Sequence, residues 1–227
     1  MPTPKVIASA ADRASVSPFK GIVRPVVLSA VFFMLLTGIA YPVATTVLGT
    51  AFFPSQAQGS VILKDGQPVA SRQIGQHFTR ADYFHGRPSA TVGADPADPS
   101  ATVAQPYNAA ASAASNQGVL SQNLIDAVTE RTKAYRRING LADDAPVPVD
   151  AVTASASGLD PHVSVANARL QAPRVAKARA MPLDQVLALV DQYTSQRQFG
   201  LLGDPRVHVL ELNLALDMAA SPRPAAH

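Results

Sequence analysis

The sequence predicts a single N-terminal transmembrane helix followed by a mixed α/β (α+β) extracytoplasmic domain. Three observations predict it. Residues 25–63 contain no Lys, Arg, Asp, Glu or His. The basic excess stands wholly before that run, where Lys5, Arg13, Lys20 and Arg24 oppose Asp12 alone; the rest of the chain carries as many acidic as basic residues. After Gly59, segments of helical period alternate with short runs of strand character.

The core of the uncharged run, Val26 to Leu48, reads VVLSAVFFMLLTGIAYPVATTVL. As a helix it measures about 34 Å, enough to cross a hydrocarbon layer of about 30 Å. Thr37, Thr45 and Thr46 are placed to return their hydroxyls to backbone carbonyls, and Pro42 predicts a kink in the helix. Phe52 and Phe53 fall where an interfacial aromatic belt lies. A cleaved signal peptide has a shorter apolar run, of about 7–15 residues, and a small-residue cleavage site. The positive-inside rule keeps the N-terminal tail in the cytoplasm and exports the rest, which in a bacterial inner membrane means the periplasm. The expected divisions are therefore a cytoplasmic basic tail (1–24), a transmembrane helix (25–50), a periplasmic α/β domain (59–220) and a flexible C-terminus (221–227).

Within the domain, Asp65-Gly66 between two apolar runs predicts a hairpin. The Pro-, Ala- and Ser-rich stretch up to Gly118 predicts a loop-dominated layer, ordered in part by Phe78, Tyr83 and Phe84. A helix follows from about Gln122 to Ile138, with Ser121 as N-cap, Leu124, Val128, Tyr135 and Ile138 on one face, and Gly140 as its stop. Short helical turns, broken by Pro173, are expected over 165–180. A helix begins at Pro182, with Val186, Leu187 and Val190 at helical spacing. Alternation of His208, Leu210, Leu212, Leu214 and Leu216 predicts a final strand over 207–216.

Composition excludes several functions. The chain has 227 residues, 47% of them hydrophobic and only 15% charged, against about a quarter charged in ordinary soluble domains. Without Cys there is no thiolate nucleophile and no Cys-based zinc site. With the basic excess confined to the tail and few aromatic residues, no nucleic-acid surface is expected. The histidines show no metal-ligand spacing.

One polar block, VDAVTASASGLDPHVS (149–164), gathers Thr153, Ser155, Ser157, Gly158, Asp160 and His162. Hydroxyls and amides ahead of a helix can cradle an anion, or they can simply cap turns, with Ser164 capping the next helix. The block is neither a Walker loop nor a nucleophile elbow. Its Ser, Asp and His leave open a membrane-anchored periplasmic hydrolase. The small-residue run YNAAASAASN (107–116) suits a subunit interface or a turn of the domain's own surface. Arg174, Lys177 and Arg179 suit a basic interaction face or a solvated helix side.

These blocks carry a resemblance. RPVVLSAVFFMLLTGIAYPVATT, IGQHF, YFHGRPSA, YNAAASAASN, VPVDAVTASASGLDPHVS, PRVAKARA and GDPRVHVLELNLALD stand in one order over nearly all of the chain beyond the tail. In sequence and order they resemble the C subunit family of the Kdp high-affinity potassium-transporting ATPase. That family commonly has glycines at Ala113 and Ala114 and asparagine at His208.

The resemblance implies a non-catalytic accessory subunit, with no covalently bound cofactor and no catalytic residue of its own. Its implied partners are a channel-like potassium-translocating subunit and a P-type ATPase catalytic subunit. The family is described as a catalytic chaperone that raises ATP affinity, which would make Thr153, Ser155, Ser157, Gly158, Asp160 and His162 the nucleotide contacts. Arg87, Asn108, Ser112, Ser115 and Asn116 become the implied interface. An exported loop faces a space poor in ATP, so coupling through the membrane helix is implied, or a reversed orientation. An exported location and the implied effect on ATP affinity are both consistent with an outer domain that braces or caps the channel subunit near its potassium entrance.

Overall fold

The computed structural model describes Phe19 and residues 21–64, 66–98 and 100–220. Most of the basic tail, Asp65 of the hairpin turn and the C-terminal segment 221–227 lie outside the described residues. Backbone contacts divide the chain after Gln58, and each part is described by itself.

The first part is helical from Val23 to Phe52, long and apolar enough to cross a membrane, and buries none of its residues within the chain. It consists of α1 (Val23–Leu35), a π turn (Leu36–Ala40) and α2 (Tyr41–Phe52), followed by the short α3 (Pro54–Ala57). Next to Pro42, where a kink is expected, the structure has this π turn, in which the Tyr41 N–H bonds back to the Leu36 carbonyl. Widening the turn accommodates a residue that has no N–H to give. Thr37 and Thr45 donate to the carbonyls of Phe33 (2.6 Å) and Tyr41 (3.0 Å). Thr46 contributes its carbonyl, to Thr50, at 2.8 Å. The hydroxyls of Thr37, Thr45 and Thr50 are thereby satisfied without water, and the bond expected from the Thr46 hydroxyl is replaced by that from Thr50.

The second part opens with an antiparallel hairpin, β1 (Val61–Lys64) on β2 (Gln67–Ser71), closed at the expected turn with Gly66 at φ 75°. An otherwise irregular layer follows, carrying only β3 (Val92–Ala94) paired with β4 (Thr102–Ala104). Next come α4 (Gln122–Asn139) and the short α5 (Val149–Val152). Gly140 stops α4 at φ 65°, and the Leu141 N–H returns to the Arg136 carbonyl at 2.9 Å, a Schellman closure. Ser121 stands at the N-cap, but its hydroxyl makes no capping bond. On the expected shared face, Leu124, Val128 and Tyr135 are half-buried, and Ile138 at its end is exposed.

The remaining elements are β5 (His162–Ser164), α6 (Val165–Arg179), α7 (Leu183–Gln192), β6 (Thr194–Ser195), β7 (Arg206–His208) and α8 (Val209–Ala220). They form a three-stranded antiparallel sheet in the order β5-β7-β6 with α6, α7 and α8 packed around one core. Ala168, Ala172 and Val175 of α6, Val186 and Val190 of α7, Val207, and Leu212 and Leu216 of α8 are fully buried there, as is Phe84 from the irregular layer.

Two sequence expectations fail. The final strand over 207–216 is a three-residue strand followed by a helix. The alternating leucines mimic a strand, but the buried residues Val209, Leu212, Asn213 and Leu216 keep helical spacing, and Leu, Ala, Met and Glu favour helix. Nor does Pro173 break the helix, because α6 runs unbroken through it. Pro173 and Arg169, whose carbonyl loses its partner, both lie on the exposed side. Water serves that carbonyl while the opposite face packs.

The expected choice between a basic face and a solvated one for Arg174 and Arg179 is also corrected. Arg179 is buried, pairs Asp217 of α8 at 2.8 Å and lies 4.8 Å from the Tyr83 ring centre. Arg174 donates to the carbonyl of Tyr83 at 3.0 Å and to Asn139 Oδ1 at 2.9 Å. Both arginines therefore hold the irregular layer onto the helices.

That layer is docked most firmly by two buried amides. Asn213 of α8 accepts from the Phe84 N–H (2.8 Å) and donates to the Phe84 carbonyl (2.9 Å). Gln171 of α6 does the same for the next residue, accepting from the His85 N–H (2.8 Å) and donating to its carbonyl (3.0 Å). Each side chain makes the pair of bonds a neighbouring strand would supply, so an extended segment enters the core with its polar groups satisfied.

The His208 ring plays the two roles an amide side chain could play. Nε2–H donates to the Arg72 carbonyl at 2.8 Å, and Nδ1 accepts from the Glu211 N–H at 3.3 Å. Burial holds His208 below the ordinary imidazole value of 6.5, opposed by the Arg72 carbonyl and Glu211 and reinforced by His162. Burial likewise lowers His85, with Arg174 and His77 adding to the effect. Between the folded and unfolded values the unfolded chain binds more protons. This contribution to stability is present above about pH 6.5 and is lost progressively as pH falls from there through the lower folded-state values. Melting temperatures of the full chain should therefore drop as pH falls below about 6.5, and His208→Asn should reduce the drop. An unchanged pH slope in the variant would refute the assignment to His208.

Candidate functional site

The polar block ahead of β5 folds against two segments of the irregular layer, around residues 87–91 and 107–113. Asp160 is the hub. Its Oδ2 pairs with Arg87 Nη1 at 3.1 Å, and its Oδ1 accepts from the His162 N–H at 3.0 Å and faces His162 Nδ1 at 3.3 Å. Burial pushes this carboxyl up, but the bonds from His162 and Arg87 outweigh it and hold Asp160 below its ordinary value. Arg87 also donates weakly to the Ala154 carbonyl at 3.4 Å, and its Nε is buried without an acceptor.

Gly158 sits at φ 70° in a left-handed turn that glycine adopts freely. A Cβ there would lie 2.5 Å from Thr91 Cγ2 and 2.8 Å from the Ala113 carbonyl oxygen. The Gly158 carbonyl accepts from Ser89 Oγ at 2.7 Å. Ser157 Oγ accepts from the Leu159 N–H at 3.1 Å, and the Ser157 carbonyl accepts from Ser112 Oγ and from the Ala113 N–H, each at 3.0 Å. Ser155 is buried, and its N–H reaches the Pro88 carbonyl at 3.3 Å. Thr153 Oγ1 donates back to the Val149 carbonyl at 2.8 Å, closing α5.

The structure thus brings Ser157, Gly158, Asp160 and His162 together with Arg87 and Ser112. Asn108 joins them indirectly. Its N–H bonds Thr91 Oγ1 (3.1 Å), its Nδ2 donates to the Val92 carbonyl (2.7 Å) and its Oδ1 accepts from the Ala110 N–H (3.1 Å). Ser115 and Asn116 lie apart on exposed backbone. The left-handed residues of this turn are Tyr107 (φ 62°) and Asn116 (φ 49°), not Ala113 or Ala114. The alanines at 113 and 114 are therefore carried without backbone strain.

As chemistry, the block is a junction. The N–H groups of residues 155, 158, 159, 162 and 164 bond within the chain. Among the described residues no serine hydroxyl bonds His162, so the nucleophile–base contact a hydrolase needs is not assembled. Ser164 caps α6 as expected, accepting from the Asn167 N–H at 3.1 Å. Asp150 binds Ser164 Oγ (2.8 Å) and Asn167 Nδ2 (3.0 Å) behind it. Sequence reasoning missed Asp150, Asn167, Gln171 and Asn213. Their one signal was an amide or carboxylate at an otherwise apolar helical position.

An apolar helix long enough to cross a membrane is thus followed by a mixed domain whose most distinctive polar block braces its own loops. The chain belongs to the family "K+-transporting ATPase, c chain" (KdpC), which it matches over residues 23–218. It is 52% identical over 197 residues to the potassium-transporting ATPase KdpC subunit of Rhodopseudomonas palustris strain BisB18, covering 87% of this chain and 98% of that one. It is 50% identical over 199 residues to the subunit of the same name from Bradyrhizobium diazoefficiens, covering 88% and 98%. For that of Polaromonas naphthalenivorans the identity is 52% over 198 residues, covering 87% and 95%.

Proposed function

We propose that this chain is a non-catalytic accessory subunit of an ATP-driven, high-affinity potassium uptake complex in a bacterial inner membrane. One helix crosses the bilayer, the N-terminus stays in the cytoplasm, and the domain spanning 59–220 stands in the periplasm. The family match, which runs through both helix and domain, carries this reading. Orientation rests on Lys5, Arg13, Lys20 and Arg24 preceding a helix that no basic residue follows until Lys64.

The partners are a channel-like potassium-translocating subunit and a P-type ATPase subunit, with no nucleic acid involved. The exported domain braces the channel subunit. No cofactor is covalently bound, and ATP acts on the complex through the ATPase subunit. The effect on ATP affinity then passes through subunit contacts. Supporting this, the N–H groups of residues 153, 155, 158, 159 and 162 are bonded within the chain.

Ending the chain after Leu48 should abolish high-affinity potassium uptake in potassium-starved cells while the anchor still reaches the membrane. Full uptake by the truncated chain, with both partners present, would overturn the bracing role. Co-purification of two larger membrane proteins with potassium-stimulated ATP hydrolysis is the expected companion result for the full chain.

A further inference from the structure

A cavity of about 440 Å³ opens in the second part of the chain between the 77–89 segment, Tyr107 and the helices α4 and α6. That is the size of a small-ligand site. Among the described residues lining it none is acidic, whereas Arg87, Arg131, His77 and His85 all face it. Arg131 forms no ion pair among the described residues; Nη1 donates to the Val152 carbonyl at 3.1 Å. Asp160 neutralises Arg87 from outside the lining. Glu130 lies outside that lining, in a neighbouring groove that Arg131 also borders, where Lys133 and Arg137 add two further positive charges.

The walls suit a flat apolar body. Phe78, Tyr107 and Tyr135 contribute rings, and Pro88 and Pro106 add rigid apolar surface. Tyr107 is held in place, since its ring lies where a Cβ at Gly75 or Gly86 would be, and its hydroxyl donates to the Arg87 carbonyl at 2.8 Å. Both phenols stay neutral, Tyr107 being pushed up to about 12 by burial and by Asp160, so the rings add no negative charge. The floor is formed by Asn167 and Gln171, whose side chains are already bonded to one another at 2.8 Å.

We propose that this cavity binds a small organic anion, a carboxylate or phosphate head on a planar apolar body, with Arg131 as the guanidinium that receives the head. A fork of N–H donors without a carboxylate partner fits that geometry. The aromatic walls take the body by ring contact. The inference goes beyond the subunit role and does not depend on it.

Fluorine NMR line broadening on the full chain in nanodiscs of zwitterionic lipid tests it, with empty nanodiscs as the blank. The probes are 4-fluorobenzoate, 4-fluorophenyl phosphate and the neutral 4-fluorobenzamide. Both anions should bind and the amide should not; the tighter anion assigns the head group. Arg131→Gln should weaken anion binding by about tenfold or more. Ala134→Leu, which fills the cavity from α4 without touching a charge, should abolish it while the melting transition stays in place. Binding of the amide as tight as that of the anions, no binding of either anion, or anion binding retained in the cavity-filled variant overturns the proposal.

Discussion

Asn213→Leu should destabilise the full chain by about 2–5 kcal/mol, because it strands the N–H and the carbonyl of Phe84 in a dry interior. Both partner residues are buried, Asn213 at 1% and Phe84 at 0% exposure, so water cannot replace the lost bonds. Leucine matches the volume closely enough that the cost is polar rather than a cavity. Gln171→Leu should cost at least as much. Besides the His85 N–H and carbonyl, it releases Asn167 Oδ1 and an Arg174 N–H, each bonded to Gln171 at 2.8 Å. Because Phe84 and His85 are consecutive, freeing one loosens the other, and the double variant should cost less than the sum. Circular dichroism melts of the nanodisc-embedded protein measure this. A shift within about 0.5 kcal/mol for Asn213→Leu would show that the two amide bonds do not hold the segment.

The segment gripped this way carries Arg87 three and two residues further on, which reaches Asp160 across 73 positions of sequence. Loosening the amides therefore loosens the junction of the polar block. The helices and the brace form one mechanical path, running from α8 and α6 through Phe84 and His85 to Arg87 and Asp160.

What could be read from sequence follows from where the information lies. The hairpin at Asp65-Gly66, the stop of α4 at Gly140 and the cap at Ser164 depend on local chemistry, and all three are legible within a few residues. Two elements failed for a shared reason. Leu210, Leu212, Leu214 and Leu216 give a strand period by coincidence, and Pro173 gives a break, but tertiary burial decides both segments. The members of the polar block stood together in sequence. Their bonds to Arg87, Ser89 and Ser112 did not, because loop-to-loop pairing leaves no periodic trace. Asn213, bonded across 129 positions, falls off the face that the alternating leucines mark, so the leucine pattern gives no sign of it.

Gly158→Ala should be the most damaging small substitution in the polar block. A left-handed backbone costs an alanine about 1 kcal/mol. The larger cost is steric. The new methyl would meet Thr91, which is 2% exposed and pinned through Oγ1 to the Gln105 carbonyl at 2.6 Å. It would also meet the carbonyl of Ala113, whose own N–H is tied to Ser157. Neither neighbour is the free end of a flexible side chain, so the loop itself must move, at a total of about 2–4 kcal/mol. The chain provides its own control. Gly140 has nearly the same φ, 65°, yet a Cβ there meets nothing within 4 Å. Gly140→Ala should therefore show only the backbone cost of about 1 kcal/mol. The excess of one over the other measures how closely the three segments approach at Gly158. Equal losses would mean that the junction is looser than its geometry indicates. If the junction also presents the face that meets a partner subunit, Gly158→Ala should lower potassium uptake at temperatures where both variants remain folded, while Gly140→Ala should not.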